Sequence, residues 1–201
     1  MFFTMHILVG LGNPGVEYAL SRHSVGRDMI LRFLRAEGFD VPKMDSKRTA
    51  LVSEGKLSKG GERVTLVIPE SFMNDSGPVI KRFVKNARDR SRLIVLHDDL
   101  DLPLGSIKIS FGRGSGGHRG VESVSNALRS KDFTRVRIGI SPELKKGGVK
   151  KPSGGEKTIS YVLGKFSPRE RAALGRITKR IREVLISLVS EGTERAMNRF
   201  N

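Results

Sequence analysis

The 201-residue chain has no cysteine and no tryptophan, and it is short of acid: 21 Asp plus Glu stand against 37 Lys plus Arg, a formal charge of +16. The missing cysteine excludes a disulfide framework and thiolate metal sites, and it suits a reducing compartment such as the cytoplasm. No run approaches the ~20 apolar residues that span a bilayer, which argues against a membrane role. The opening MFFTMHILVG is apolar but has neither a basic leader nor a small-residue cleavage site. It reads as a mature, non-secreted start running into a first strand. So large a basic excess calls for a polyanionic partner, and nucleic acid is the natural one.

Apolar runs at 5–11, 50–57, 63–69, 92–98, 106–111, 135–140 and 158–164 read as strands, with helical patterns near 24–37, 77–87 and 119–129 and a long final helix over 167–190. This alternation predicts a single α/β domain across 1–201, with a mixed, largely parallel central sheet flanked by helices. The final helix has the best-marked start: Ser167 as N-cap, Pro168 in the first helical position and Glu170 closing a capping box. Ala173, Leu174, Ile177, Ile181, Val184, Leu185 and Leu188 form its apolar stripe. Its arginines and lysines occupy the other faces, either as a solvated surface or as an RNA contact. The Gly- and Lys-rich segment 142–157 lacks periodicity and reads as a mobile basic loop.

The stretch GLGNPGVEYALSRHSVG (10–26) satisfies G-x-G-x-x-G. A dinucleotide fingerprint also needs a helix starting inside the glycine run and an acidic residue about 20 residues further on, ending a second strand. Neither is present, since the helical pattern starts near Val25 and the next strand near residue 50. The stretch is better read as a functional loop leaving a strand, carrying the amide of Asn13 and the near-neutral base of His23. Other strand ends bring partners: LIVLHDDLDLP (93–103) carries His97, Asp98, Asp99 and Asp101, and PESFMNDSG (69–77) carries Asn74. FGRGSGGHRGVES (111–123) is a glycine-rich turn before a helix, either an anion cradle or a flexible connection. The acidic cluster admits two readings: a Mg²⁺ site, or one Asp orienting a catalytic His.

Taken together, GLGNPG-x-x-Y-x-x-x-R-H (10–23), SFMNDSG (71–77), HDDLDLP (97–103), GGHRG (116–120) and RVRIGI (135–140) resemble the bacterial-type peptidyl-tRNA hydrolases. The resemblance implies a monomeric enzyme without metal or cofactor that cleaves the ester between a peptide and the 3′-terminal ribose of tRNA, freeing tRNA stranded by ribosomal drop-off. It makes His23 the catalytic base, Asp98 its orienting carboxylate, and Asn13 and Asn74 the amides holding peptide, scissile carbonyl and water. Tyr18 and Met73 join them in lining the peptide pocket. Lys108 and Arg137 match the family's tRNA-binding positions, and Arg113 is a further basic candidate beside the glycine-rich turn. The tRNA is expected to lie with its acceptor stem and CCA end at the site. Two positions depart from the family pattern: Ser24 and Arg119 stand where asparagine is usual. Arg119 donates only and is permanently charged, so it is expected to contact a phosphate or ribose of the CCA end. Two other functions compete with the esterase: a metal-dependent phosphoesterase built on the acidic cluster, and an RNA-binding module without catalysis.

Overall fold

Seven strands form one sheet in the computed structural model, which describes residues 5–47 and 49–201. They are β1 (Met5–Gly10), β2 (Lys43–Met44), β3 (Ala50–Lys56), β4 (Arg63–Pro69), β5 (Leu93–Pro103), β6 (Ile107–Phe111) and β7 (Thr134–Ser141). Their order is β2-β3-β4-β1-β5-β7-β6. The central β4, β1, β5 and β7 pair parallel, while β3 and β2 on one side and β6 on the other add antiparallel edges. This is a mixed, largely parallel sheet in a single α/β domain.

The continuous apolar runs of β1 and β5 follow from burial on both faces. Leu8, Ile94 and Leu96 point to one side, where they join Met29, Ile30 and Phe33 of α1 (Val25–Glu37) and Ile181, Val184 and Leu185 of α6 (Pro168–Ser190). Their neighbours Ile7, Val9, Leu93 and Val95 point to the other, against Val79 and Ile80 of α2 (Ser76–Lys81) and Val121 and Val124 of α4 (Arg119–Leu128). The chain leaves β1 for β4 on one side and reaches β5 on the other. The strand order therefore switches direction at β1, and open α/β sheets place ligands at the carboxyl ends of strands at such a point. At the start of α6 the Ser167 hydroxyl accepts from the Glu170 N–H at 3.3 Å, and the Glu170 carboxylate accepts from the Ser167 N–H at 2.7 Å.

Several elements differ from the sequence reading. Residues 158–164 are not a strand: α5 (Gly155–Leu163) is a helix. A short apolar run with β-branched and aromatic residues is compatible with either state, and tertiary packing decides. The expected loop over 142–157 accordingly ends before Gly155, and its first half closes through bonds such as Leu144 N–H to Gly148 O at 3.0 Å. The helix expected over 77–87 stops at Lys81, and a separate short α3 (Ala87–Ser91) follows. Beyond Asp98, β5 continues to Pro103, with irregular pairing to β7 between Asp99 and Pro103. A last helix, α7 (Thr193–Phe200), follows α6 beyond the elements that the sequence pattern predicts. Residues 1–4, part of the start read as mature and non-secreted, lie outside the described residues. Among the described residues no helix is long and apolar enough to cross a membrane.

Candidate active site

The loop after β1 folds back in a 3₁₀ turn, Arg22–Ser24, from which α1 departs at once. Gly26 in the first turn of α1 makes this possible: a Cβ there would lie 2.2 Å from the Leu96 carbonyl oxygen, so only glycine lets the helix start reach the strand ends. The turn is held on its outer side by Arg22. That guanidinium donates to both carboxylate oxygens of Glu170, at 2.9 and 3.1 Å, and lies 4.4 Å from the centre of the Tyr161 ring. The junction of α5 and α6 is thereby fastened to the residue preceding His23. Ser24 is buried, its hydroxyl 3.1 Å from that of Ser21.

So placed, His23 Nδ1 lies 2.8 Å from Asp98 Oδ1. Asp98 is 3% exposed, and the same oxygen meets His118 Nε2 at 2.9 Å. His118 is the N-cap of α4; its Nδ1 accepts from the Val121 N–H at 3.2 Å, so its Nε2 carries the proton given to Asp98. His97, fully buried, bonds through Nδ1 to the Asp98 carbonyl oxygen at 2.7 Å, which fixes its proton on Nδ1 because a carbonyl only accepts. Its ring packs edge-on against His118 with centroids 4.7 Å apart. Burial alone would raise the Asp98 pKa, but the two facing imidazoles and their hydrogen bonds outweigh it and hold the carboxyl far below the usual range. For His23, burial opposes protonation, yet the charge and hydrogen bond of Asp98 prevail over it and over Arg119, and the pKa is raised. His97 is held well below the ordinary histidine value by burial and by His118, and so stays neutral.

Asn13, His23, Met73, Asn74, Asp98 and Arg119 all line one cleft of about 330 Å³. Asn13 accepts from the Met73 N–H at 2.8 Å through its side-chain oxygen, which leaves its NH₂ to donate. Asn74 is exposed, its NH₂ 3.4 Å from Asp75. Met73 is nearly enclosed and packs on Gly120. Tyr18 is not among the lining residues; it stands edge-on to Phe72, which is, with centroids 6.2 Å apart. Thr158, Ile159, Val162 and Leu163 of α5 form an apolar wall.

A second groove shares Asp99, Ser115 and Gly116 with the cleft and is lined by Lys108, Arg113, Arg135 and Arg137. Arg137 donates to Asp99 at 2.6 Å. Arg135 is only 3% exposed and makes no hydrogen bond or ion pair among the described residues. Sequence reading missed His118 and Arg135 as site residues. The first carried a signal in its place before a helix; the second had none, because alternation in RVRIGI does not distinguish a buried arginine from an exposed one.

The acidic cluster does not converge on a hard cation. Asp99 faces Arg137, Asp101 faces Lys151 at 2.6 Å, and His97 is turned into the core. His23, Asp98 and His118 offer ligand-type atoms within 4.8 Å of one another, but hydrogen bonds of 2.8 and 2.9 Å already join these atoms.

Fold and cleft together define a class, α/β enzymes that hold a histidine–aspartate pair at the carboxyl ends of parallel strands. Comparison with known proteins narrows it. The peptidyl-tRNA hydrolase family model matches residues 7–201. A peptidyl-tRNA hydrolase of Caldanaerobacter subterraneus is 38% identical over 198 residues, 98% of this chain and 100% of the relative. One from Thermoanaerobacter is 37% identical over 98% of this chain and 100% of its own length. The crystal structure of peptidyl-tRNA hydrolase from Acinetobacter baumannii superposes with a TM-score of 0.85 at 29% identity, covering 100% of this chain and 96% of that one. The chain belongs to the peptidyl-tRNA hydrolase family.

Proposed function

We propose that this family member hydrolyses the ester of peptidyl-tRNA with His23 as general base. The observation that carries the assignment is the 2.8 Å contact of His23 Nδ1 with buried Asp98. An ionised carboxylate accepts, so the proton sits on Nδ1 and Nε2 is left as the ring's acceptor on the cleft side. A water held there gives its proton to Nε2 as its oxygen attacks the ester carbonyl. The NH₂ groups of Asn13 and Asn74 are the nearby donors for the developing oxyanion. Collapse breaks the bond to the ribose 3′-oxygen, which takes the proton back from His23, releasing peptide and tRNA. Asp98 steadies the imidazolium between these steps.

The second groove supplies the polyanion contact. Arg135, largely enclosed and without an ion-pair partner among the described residues, stands beside Arg137, Lys108 and Arg113, where an acceptor-stem phosphate would meet clustered positive charge. Because the groove opens beside the cleft, an acceptor stem lying in it would deliver the CCA end to His23. Tyr18 acts through Phe72 at the cleft rim. A monomer working in the cytoplasm suits the absence of cysteine and the self-contained cleft.

The test is cleavage of N-acetylphenylalanyl-tRNA in EDTA by the protein and by His23→Ala. Cleavage that resists the chelator and is lost in the variant is expected. Cleavage that needs added metal, or that survives in His23→Ala, overturns the mechanism.

A further inference from the structure

Arg119 is the cleft residue whose chemistry the mechanism leaves unused. It occupies the first position of α4, where the N-terminal end of the helix already carries positive partial charge. It lines the reaction cleft with His23, Asn13 and Asn74, and it is not among the residues of the basic groove that holds Lys108, Arg113, Arg135 and Arg137. Every carboxylate of the cleft is engaged elsewhere: Asp98 by two histidines, Asp99 by Arg137 and Asp101 by Lys151. The result is a cation without an ion-pair partner among the described residues, on the rim of the cleft, whose one buried carboxylate, Asp98, is enclosed by its hydrogen bonds to His23 and His118.

We propose that Arg119 is a charge filter that sets the preference for N-acylated substrates over free aminoacyl-tRNA. This rests on the peptidyl-tRNA reading above and assigns the specificity of the same site. An aminoacyl ester presents an α-ammonium two bonds from the scissile carbonyl carbon, whereas a peptidyl ester presents a neutral amide at that place. Bringing the ammonium to the carbonyl-binding amides sets it beside the exposed guanidinium of Arg119 and a helix N-terminus, and like charges at that distance repel. The amide meets no such opposition. Asparagine at this position would carry no charge and would leave discrimination to hydrogen bonding alone.

Three substrates isolate charge from shape: N-acetylphenylalanyl-tRNA, phenylalanyl-tRNA, and phenyllactyl-tRNA, in which a hydroxyl replaces the ammonium. Their kcat/KM values are measured for the protein, Arg119→Asn and Arg119→Lys. The expected result is that phenylalanyl-tRNA gains about tenfold on phenyllactyl-tRNA in Arg119→Asn, equivalent to ~1.4 kcal/mol, and gains little in Arg119→Lys, which keeps the charge. An unchanged ratio in Arg119→Asn overturns the filter. So does an equal rise of KM for all three substrates, which would mark Arg119 as a contact to a CCA phosphate. If the unaltered protein cleaves none of the three, the peptidyl-tRNA reading itself falls and takes the filter with it.

Discussion

At the scale of single residues, the site is built by giving each polar group one task. Asp98 receives two N–H donors on one oxygen, and His97 braces its backbone. Asn13 orders the turn at Met73 with its oxygen and keeps its NH₂ free. Arg135 invites a direct test, because its side chain is largely enclosed in the groove wall and among the described residues no carboxylate pairs with it. Arg135→Gln is expected to raise KM for peptidyl-tRNA with little change in kcat, and to reduce the slope of log affinity against log salt by about one. A fall in kcat at unchanged KM would place Arg135 in the chemistry instead. Strand position put His23, the acidic cluster and both asparagines where α/β sheets place their ligands, and the family resemblance singled out Asp98 within that cluster. It did not reach the His118 bond to Asp98, which joins residues 20 apart through a turn of glycines. Gly116 and Gly117 in that turn have φ of +63° and +81°, a geometry that no periodicity announces.

At the scale of elements, the helix starts decide whether the site is in register. Gly26→Ala forces a methyl onto the Leu96 carbonyl. It is expected to cost about 3 kcal/mol and to depress kcat as the His23 turn is pushed off the strands; thermal melting together with steady-state kinetics reads both. Ser167→Ala removes one half of the α6 capping box. Its expected cost is about 1 kcal/mol, seen as a melting temperature lower by roughly 2–4 °C. A loss several times larger would mean that the cap also holds the α5–α6 junction against Arg22. The start of α6 was legible because capping is local chemistry. The helical state of α5 was not: Thr158, Ile159, Val162 and Leu163 face the cleft at helical spacing, yet the run 158–164 satisfies a strand pattern equally well. The break after Lys81 and the late helix α7 are likewise settled by what packs around them, Met197 and Phe200 of α7 joining the core beneath α6.

At the scale of the whole molecule, the charge of +16 and the sheet topology serve one end. The topology brings the loops after β1, β4 and β6 around one cleft, and the basic groove opens beside it. Neutralising even three or four phosphates should weaken tRNA binding at least about tenfold between 50 and 200 mM salt. Filter binding of tRNA across that range checks this, and a flat response would remove the groove from the account. The most direct test of the central claim, that Asp98 holds His23 as a neutral base, is the pH dependence of kcat/KM for the protein and for Asp98→Asn. His23 must be unprotonated to act, so activity falls as pH drops through its pKa. With Asp98 in place that acid limb should lie above the ordinary histidine value of 6.5. In Asp98→Asn it should move to lower pH, because the carboxylate that raised the pKa is gone, and the plateau should fall by at least about 10². An acid limb at the same pH in both proteins, with the plateau intact, would contradict the account.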